Sequence, residues 1–314
     1  MAMDGDGLRA RVTVLLATHD GAEYLQEQLD SILRQRDVEV RVVVSDDASR
    51  DATPALLAAA AADPRVELLP SGVFGSPQAN FLRLMRDADV TGADAVAFAD
   101  QDDVWHDDKL ARQFALLRGK RLDAVSSNVV AFWPRADGGV RRRLIDKAQP
   151  QRSLDFLFES AGPGCTFVLE ASAFRQVRDV LAEHPLVDPS VAHDWLVYAV
   201  ARALGLRWRI DPTPTIDYRQ HGSNATGANS GPKQALVRLR ALASGRFRSQ
   251  VGAVARLTAA IAAPALGHRL ATVLPLLESN TPASRAALRR LVPELRRAHC
   301  EQRLLAVALR VGLW

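Results

Sequence analysis

The chain has 314 residues, 48% hydrophobic and 24% charged, enough to build one large α/β domain with an accessory segment and ordinary for a soluble enzyme. Cys165 and Cys300 lie far apart with no CxxC or Cys/His spacing, no run of 18 apolar residues occurs, and Met1 to Ala10 lacks the order of a signal peptide; a disulfide framework, structural zinc, export and membrane spanning are therefore not expected, and a reducing cytoplasm is. The net charge of +4 hides two electrostatic halves, because the chain from Lys233 onward holds 14 Lys/Arg against 3 Asp/Glu and the rest carries a net −7.

After a polar segment over 1–10, Arg11 to Thr18 reads as a buried strand. Ala22 to Gln35 then places Tyr24, Leu25, Leu29, Ile32 and Leu33 at helical spacing. A strand over Val40 to Ser45 leads into the acidic turn Asp46-Asp47-Ala48-Ser49-Arg50-Asp51 and a helix from Pro54 to Ala61. Val66 to Leu69 is a short strand, Ser71 to Pro77 a loop, Gln78 to Asp87 a helix, and Ala95 to Ala99 a strand ending in Asp100-Gln101-Asp102-Asp103. This β-α alternation implies a mostly parallel sheet that binds ligands beyond its carboxyl ends, where Thr18-His19-Asp20-Gly21, Asp46-Asp47 and Asp100 to Asp103 all fall. Three carboxylates in four residues repel one another, so a bound cation is expected among them. A helix over Asp107 to Arg118 and strands over Ala124 to Trp133 and Thr166 to Leu169 follow. Helices are expected over Ala171 to Ala182 and His193 to Leu204, and short strands over Leu206 to Ile210 and Thr215 to Tyr218 at the far side of the sheet. From about Lys233 the pattern is helical, punctuated by Pro264, Pro275, Pro282 and Pro293.

The motifs Val14 to Gly21, Val44 to Ser49, Asp100-Gln101-Asp102-Asp103-Val104-Trp105 and His193-Asp194-Trp195 together resemble those of the family 2 inverting glycosyltransferases of the GT-A fold. The resemblance covers roughly residues 11–225. The DQDDVW form and Tyr218-Arg219-Gln220-His221-Gly222-Ser223-Asn224 look like bacterial rhamnosyltransferase-type members that build surface polysaccharides. A GT-A domain over 11–230 and a basic helical region over 231–314 are thus expected. The resemblance implies a nucleotide-diphospho-sugar donor, carrying dTDP or UDP, held with Mg²⁺ or Mn²⁺, and a saccharide or lipid-linked acceptor. It gives Thr18, Asp20 and Asp47 to the nucleoside, and Asp47 could accept from a pyrimidine imide N–H. Asp102 is the expected direct metal ligand, Asp100 lies nearer the ribose or metal, and Arg219 and His221 reach the diphosphate, His221 as a third ligand.

Asp194 resembles the family's catalytic base, which takes the acceptor's proton. The family's usual Glu-Asp pair is here His193-Asp194. On the acceptor side stand Gly164, in a Gly-Pro-Gly loop that permits close approach, His193, Trp195 and Asp103; core packing is the competing role of Trp195, and a helix N-cap that of Asp103. Cys165, with no base beside it in sequence, reads as a small packing residue. No GxGxxG follows the first strand, which disfavours a dehydrogenase, and Thr18-His19-Asp20-Gly21 is not the basic glycine-rich loop of a nucleotidyltransferase. The Gln-x-x-Arg-Trp motif of processive family members is also absent, so transfer of one or a few sugars is expected. The non-enzymatic alternative is an inactive nucleotide-sugar or carbohydrate-binding protein of the same fold, against which Asp102 and Asp194 argue. Nucleic acid is not an expected partner. The basic C-terminal region reads as a solvated face, with a dimer surface or peripheral contact with the inner leaflet of the cell membrane as its other readings.

Overall fold

The structure, a computed structural model, describes residues 9–134, 139–221 and 245–314. Most of the N-terminal segment, Gly222-Ser223-Asn224 and the expected boundary at 230/231 lie outside the described residues.

A large sheet and a small one organise the first two thirds of the chain. The large sheet contains β1 (Ala10–Thr18), β2 (Val38–Asp46), β3 (Val66–Leu68), β4 (Ala95–Ala99), β6 (Ala124–Ser127), β9 (Val168–Glu170) and β10 (Trp208–Asp211), in the order β10-β6-β9-β4-β1-β2-β3. The small one orders β5 (Val104–Trp105), β11 (Ile216–Arg219), β7 (Val129–Pro134) and β8 (Val140–Ile145) as β5-β11-β7-β8. Along β1 the side chains alternate between two cores, as a strand covered on both faces must. Val14 and Leu16 join one cluster with Leu25, Leu29 and Leu110, whereas Leu15 joins the other with Phe81, Phe174 and Trp195. The first core seats α1 (Leu25–Leu33), α2 (Thr53–Ala60) and α4 (Lys109–Lys120); the second seats α3 (Pro77–Asp87), α5 (Ala171–Glu183) and α6 (His193–Ala203). Ser76 caps α3 by accepting from the Ala79 amide, with Pro77 supplying a first-turn residue that has no N–H to satisfy.

Strand direction positions the site. β1 lies parallel to both β2 and β4, with Thr18 opposite Asp46 and Leu16 opposite Ala99, so the three polar motifs emerge along one edge. β9 alone in this sheet runs antiparallel, pairing with β4 and β6. Its entry end therefore lies at that same edge, which delivers the turn Gly164–Thr166 beside the acidic cluster. β5 carries the chain out of that cluster and pairs antiparallel with β11, with Asp217 opposite Val104. This brings Arg219 back to Asp102 and Asp103.

Three expectations are corrected. Ala124 to Trp133 is not one strand: it breaks at Asn128, whose side chain donates to Pro212 O and Asp146 and accepts from the amides of Lys147 and Ala148. Buried amide bonding of that kind fixes the point at which the chain leaves one sheet for the other. The strand expected over Thr215 to Tyr218 pairs within the small sheet, not at the far side of the large one. Pro264 and Pro282 do open helices, α8 (Pro264–Ser279) and α9 (Pro282–Leu295), but Pro275 and Pro293 lie inside them. With α7 (Arg246–Ile261) and α10 (His299–Val311), these C-terminal helices extend the core that holds α6.

Candidate active site

The strand-end loops are tied together by side chains that the sequence motifs only partly announce. Thr18 donates its hydroxyl to Asp46 (2.8 Å), and its carbonyl accepts from the Asp47 amide (2.9 Å). Gln101, from within the acidic motif, accepts from His19 N (2.7 Å) and donates to His19 O (2.9 Å). A Cβ on Gly21 would meet this amide at 2.2 Å, so a side chain there would displace Gln101 from His19. Asp20, at φ 46, accepts from the Arg50 amide (2.7 Å), and Asp46 accepts from the amide (2.9 Å) and hydroxyl of Ser49, which stabilises this turn. Asp47 is buried and accepts from the amides of Phe74 and Gly75. Beside these loops lies a cleft of about 560 Å³ lined by Asp46, Ser49, Leu57, Leu68 and Val73, within the size range of small-molecule sites.

At the end of β4 the acids divide. Asp102 Oδ2 lies 2.7 Å from His221 Nε2, and its main-chain oxygen accepts from Arg219 Nε (2.9 Å). The Arg219 guanidinium also pairs with Glu27, between the rings of Tyr24 and Phe132. Asp103 is fully buried; Oδ1 accepts from Arg219 N (3.1 Å), while Oδ2 is buried without a hydrogen-bond partner. It is not a helix N-cap, because α4 begins only at Lys109. Ligand atoms of Asp100, Asp103 and Cys165 lie within 4.8 Å of one another, and Cys165 is fully buried in the core that holds Val14 and Leu16, where burial pushes its thiol up. Burial first, then the carboxylates of Asp102 and Asp194, push Asp100 up to about 7. Burial with Asp102 and Asp100 raises Asp103 as well. Beneath the cluster Lys109 is fully buried, 2.8 Å from Gln113 Oε1 and 4.1 Å above the Trp105 ring. Burial depresses it to about 7, against the pull of Cys165 and Asp103.

The residues expected on the acceptor side, with Asp194, form a second group. Asp194 lies in the first turn of α6 and accepts from the Trp195 amide (2.6 Å). Burial raises it to about 6, opposed by that bond and by Lys147. His193 stacks on Phe81 (3.8 Å between centroids), burial lowers it to about 3, and its Nε2 would stand 2.5 Å from a Cβ on Gly164. The imidazole is therefore neutral, and Gly164 presses directly against the His193-Asp194 pair. Trp195 takes the core role: it is 8% exposed, donates to Phe156 O (2.8 Å) and stacks on Phe247. Sequence reasoning did not single out Gln101, Lys109, Lys147 or Glu27. Of these only Gln101, inside the motif, carried a local signal; the others act through contacts between segments remote in sequence.

The family model Glycosyl transferase family 2 matches residues 13–177. The chain is 35% identical over 253 residues to "dTDP-rhamnosyl transferase RfbG" of Shigella flexneri, covering 76% of this chain and 83% of that protein. It is 35% identical over 223 residues to "Succinoglycan biosynthesis protein ExoO" of Rhizobium meliloti (strain 1021), covering 66% of this chain and 60% of that longer protein. Among solved structures, S. aureus TarS 1-349 in complex with UDP-GlcNAc shares the fold, with a TM-score of 0.58 at 14% identity over 96% of this chain and 88% of that one.

Proposed function

The chain belongs to the family 2 glycosyltransferases, and from that premise we propose that it transfers a sugar with inversion from a nucleotide diphosphate to a saccharide or lipid-linked acceptor in polysaccharide synthesis. The donor is dTDP-rhamnose or a related dTDP- or UDP-hexose, a reading supported by the resemblance to a dTDP-rhamnosyl transferase. The reaction takes place in the cytoplasm. The cleft at Asp46 and Ser49 receives the nucleoside, with Thr18, Asp20 and Asp47 shaping its rim. Arg219 holds the acidic loop in place and contributes positive charge near the diphosphate.

Asp100 and Asp102, with the imidazole of His221 beside Asp102, offer oxygen and nitrogen donors that suit Mg²⁺ or Mn²⁺. Burial first, and then the nearby carboxylates of Asp102 and Asp194, raise Asp100, and a cation beside it would favour its ionised form. Asp102, Asp100 and His221 would hold such an ion, which would supply stabilisation of the charge that grows on the departing diphosphate. Asp194 accepts the acceptor hydroxyl's proton as that oxygen bonds to C1, while the C1–O bond to the diphosphate breaks on the opposite face. Gly164 leaves room for the acceptor against Asp194, and His193, neutral, packs that carboxylate in place.

The observation that carries this reading is Asp194 itself, a carboxylate close enough to the metal-side Asp100 to raise its pKa, with its own value brought near neutrality. A screen of UDP-, dTDP- and GDP-sugars with Mg²⁺ and Mn²⁺ tests it by donor hydrolysis and transfer. Metal-dependent turnover of a dTDP- or UDP-sugar is expected. Failure with every donor, together with no nucleotide binding, would sink the proposal.

A further inference from the structure

The last helix carries a surface that sugar transfer does not use. In α10 the residues Leu305, Ala308 and Leu309 are buried, whereas Leu304, Val307 and Val311 are 53%, 57% and 60% exposed. Their spacing sets these three on one stripe, which exposed Cys300 extends at one end and Leu313 at the other. Exposed Arg303 and Arg310 flank it, and exposed Arg289 and Arg290 lie on α9, which packs against α10. The described residues 245–314 hold 11 arginines and three acids, and all three acids are already paired, Glu278 with Arg256, Glu294 with Arg269 and Glu301 with Arg296. No acid of this region is left to balance the arginines around the stripe.

We infer that α10 lies flat on an anionic lipid bilayer, with Leu304, Val307, Val311 and Leu313 entering the headgroup boundary and the flanking arginines on the lipid phosphates. Charge selects this occupant. A second copy docked about a twofold axis would bring the same patch against itself and oppose arginine to arginine, whereas an anionic leaflet attracts every one of them. No helix among the described residues is long and apolar enough to cross a membrane, so the helix rests in the interface. The inference holds whichever sugar the site transfers.

Cys300 gives the test its probe, because the other cysteine, Cys165, is fully buried. The full chain, labelled at Cys300 with an environment-sensitive fluorophore and also unlabelled, is mixed with vesicles of phosphatidylcholine alone or with phosphatidylglycerol. Flotation with the anionic vesicles only, a blue shift of the label, and release at about 1 M salt are expected. Val307→Glu, and separately the pair Arg303→Glu and Arg310→Glu, should each weaken partition at least about tenfold with an unchanged thermal midpoint. Absence of flotation at low salt, or equal flotation with neutral vesicles, overturns the inference. So does a concentration-dependent doubling of mass that Val307→Glu abolishes while vesicles are ignored, which would assign the stripe to a second copy.

Discussion

Gly164 and His193 make a contact in which one methyl group decides the outcome. A Cβ at Gly164 would stand 2.5 Å from His193 Nε2 and 3.3 Å from Asp194 Cβ, so the imidazole must shift and the first turn of α6 that carries Asp194 is pressed with it. Gly164→Ala is expected to lower kcat by more than about tenfold, since small displacements of a general base carry large rate costs. Adding His193→Ala should recover part of the loss; a single variant with wild-type kcat would show that no such contact exists. Asp194 also fixes a pH dependence. Burial raises it to about 6, and the ionised form is the base, so kcat/KM should fall about tenfold per unit below pH 6 and level off above it. The Asp194→Asn protein should lack that acid limb. A flat wild-type profile from pH 5 to 8 would take the base role from Asp194. The acids themselves were legible in the sequence because they sit at predicted strand ends. Their division was not: the sequence leaves Asp103 between an acceptor-side role and a helix cap, and only the turn through Val104 and Trp105 shows that it faces the Arg219 amide.

Among the elements, the alternation from Ala10 to Ala99 could be read directly, since β1, β2 and β4 hold apolar runs, α1 and α3 are amphipathic and α2 is rich in Ala and Leu. The small sheet could not. Asn128 diverts a single apolar run between two sheets, and β8, an exposed edge with sequence VRRRLI, shows no inward-outward alternation. The basic C-terminal helices were read mainly as a solvated face, yet Arg297 is 2% exposed and pairs with buried Asp155 (3.2 Å) and with Glu159 (3.3 Å). Asp155 also receives Arg202 (2.9 Å) and Tyr198, on α6, so this network joins the helix of Asp194 to the C-terminal region. Removing one member of a buried pair strands the other charge, typically at a cost of about 3–5 kcal/mol. Arg297→Ala should therefore lower the thermal midpoint by several degrees in calorimetry. An unchanged midpoint would show that the helices are held by apolar contacts alone.

For the whole molecule, the raised carboxylates become a stability profile. Asp100 and Asp194, at about 7 and about 6 against an ordinary 3.8, hold protons in the folded chain that the unfolded chain has released. The cation-free protein should thus lose stability as pH rises from about 4 to about 7, the sign set by a native state that binds more protons. Mn²⁺ or Mg²⁺ should offset this, because a bound cation favours the ionised acids. The shift in thermal midpoint on adding Mn²⁺ is expected to be larger at pH 8 than at pH 5 and to vanish in Asp102→Ala; an equal shift in that variant would place the ion elsewhere.

On the proposed reading Asp194 removes the acceptor's proton in an inverting transfer, while Asp100 and Asp102 serve the donor side. The most direct measurement compares wild type and Asp194→Asn for transfer rate, with nucleotide-sugar affinity measured alongside. A rate lower by about 10² to 10⁴ is expected, with donor affinity kept within a few-fold. Transfer by Asp194→Asn at the wild-type rate would contradict it.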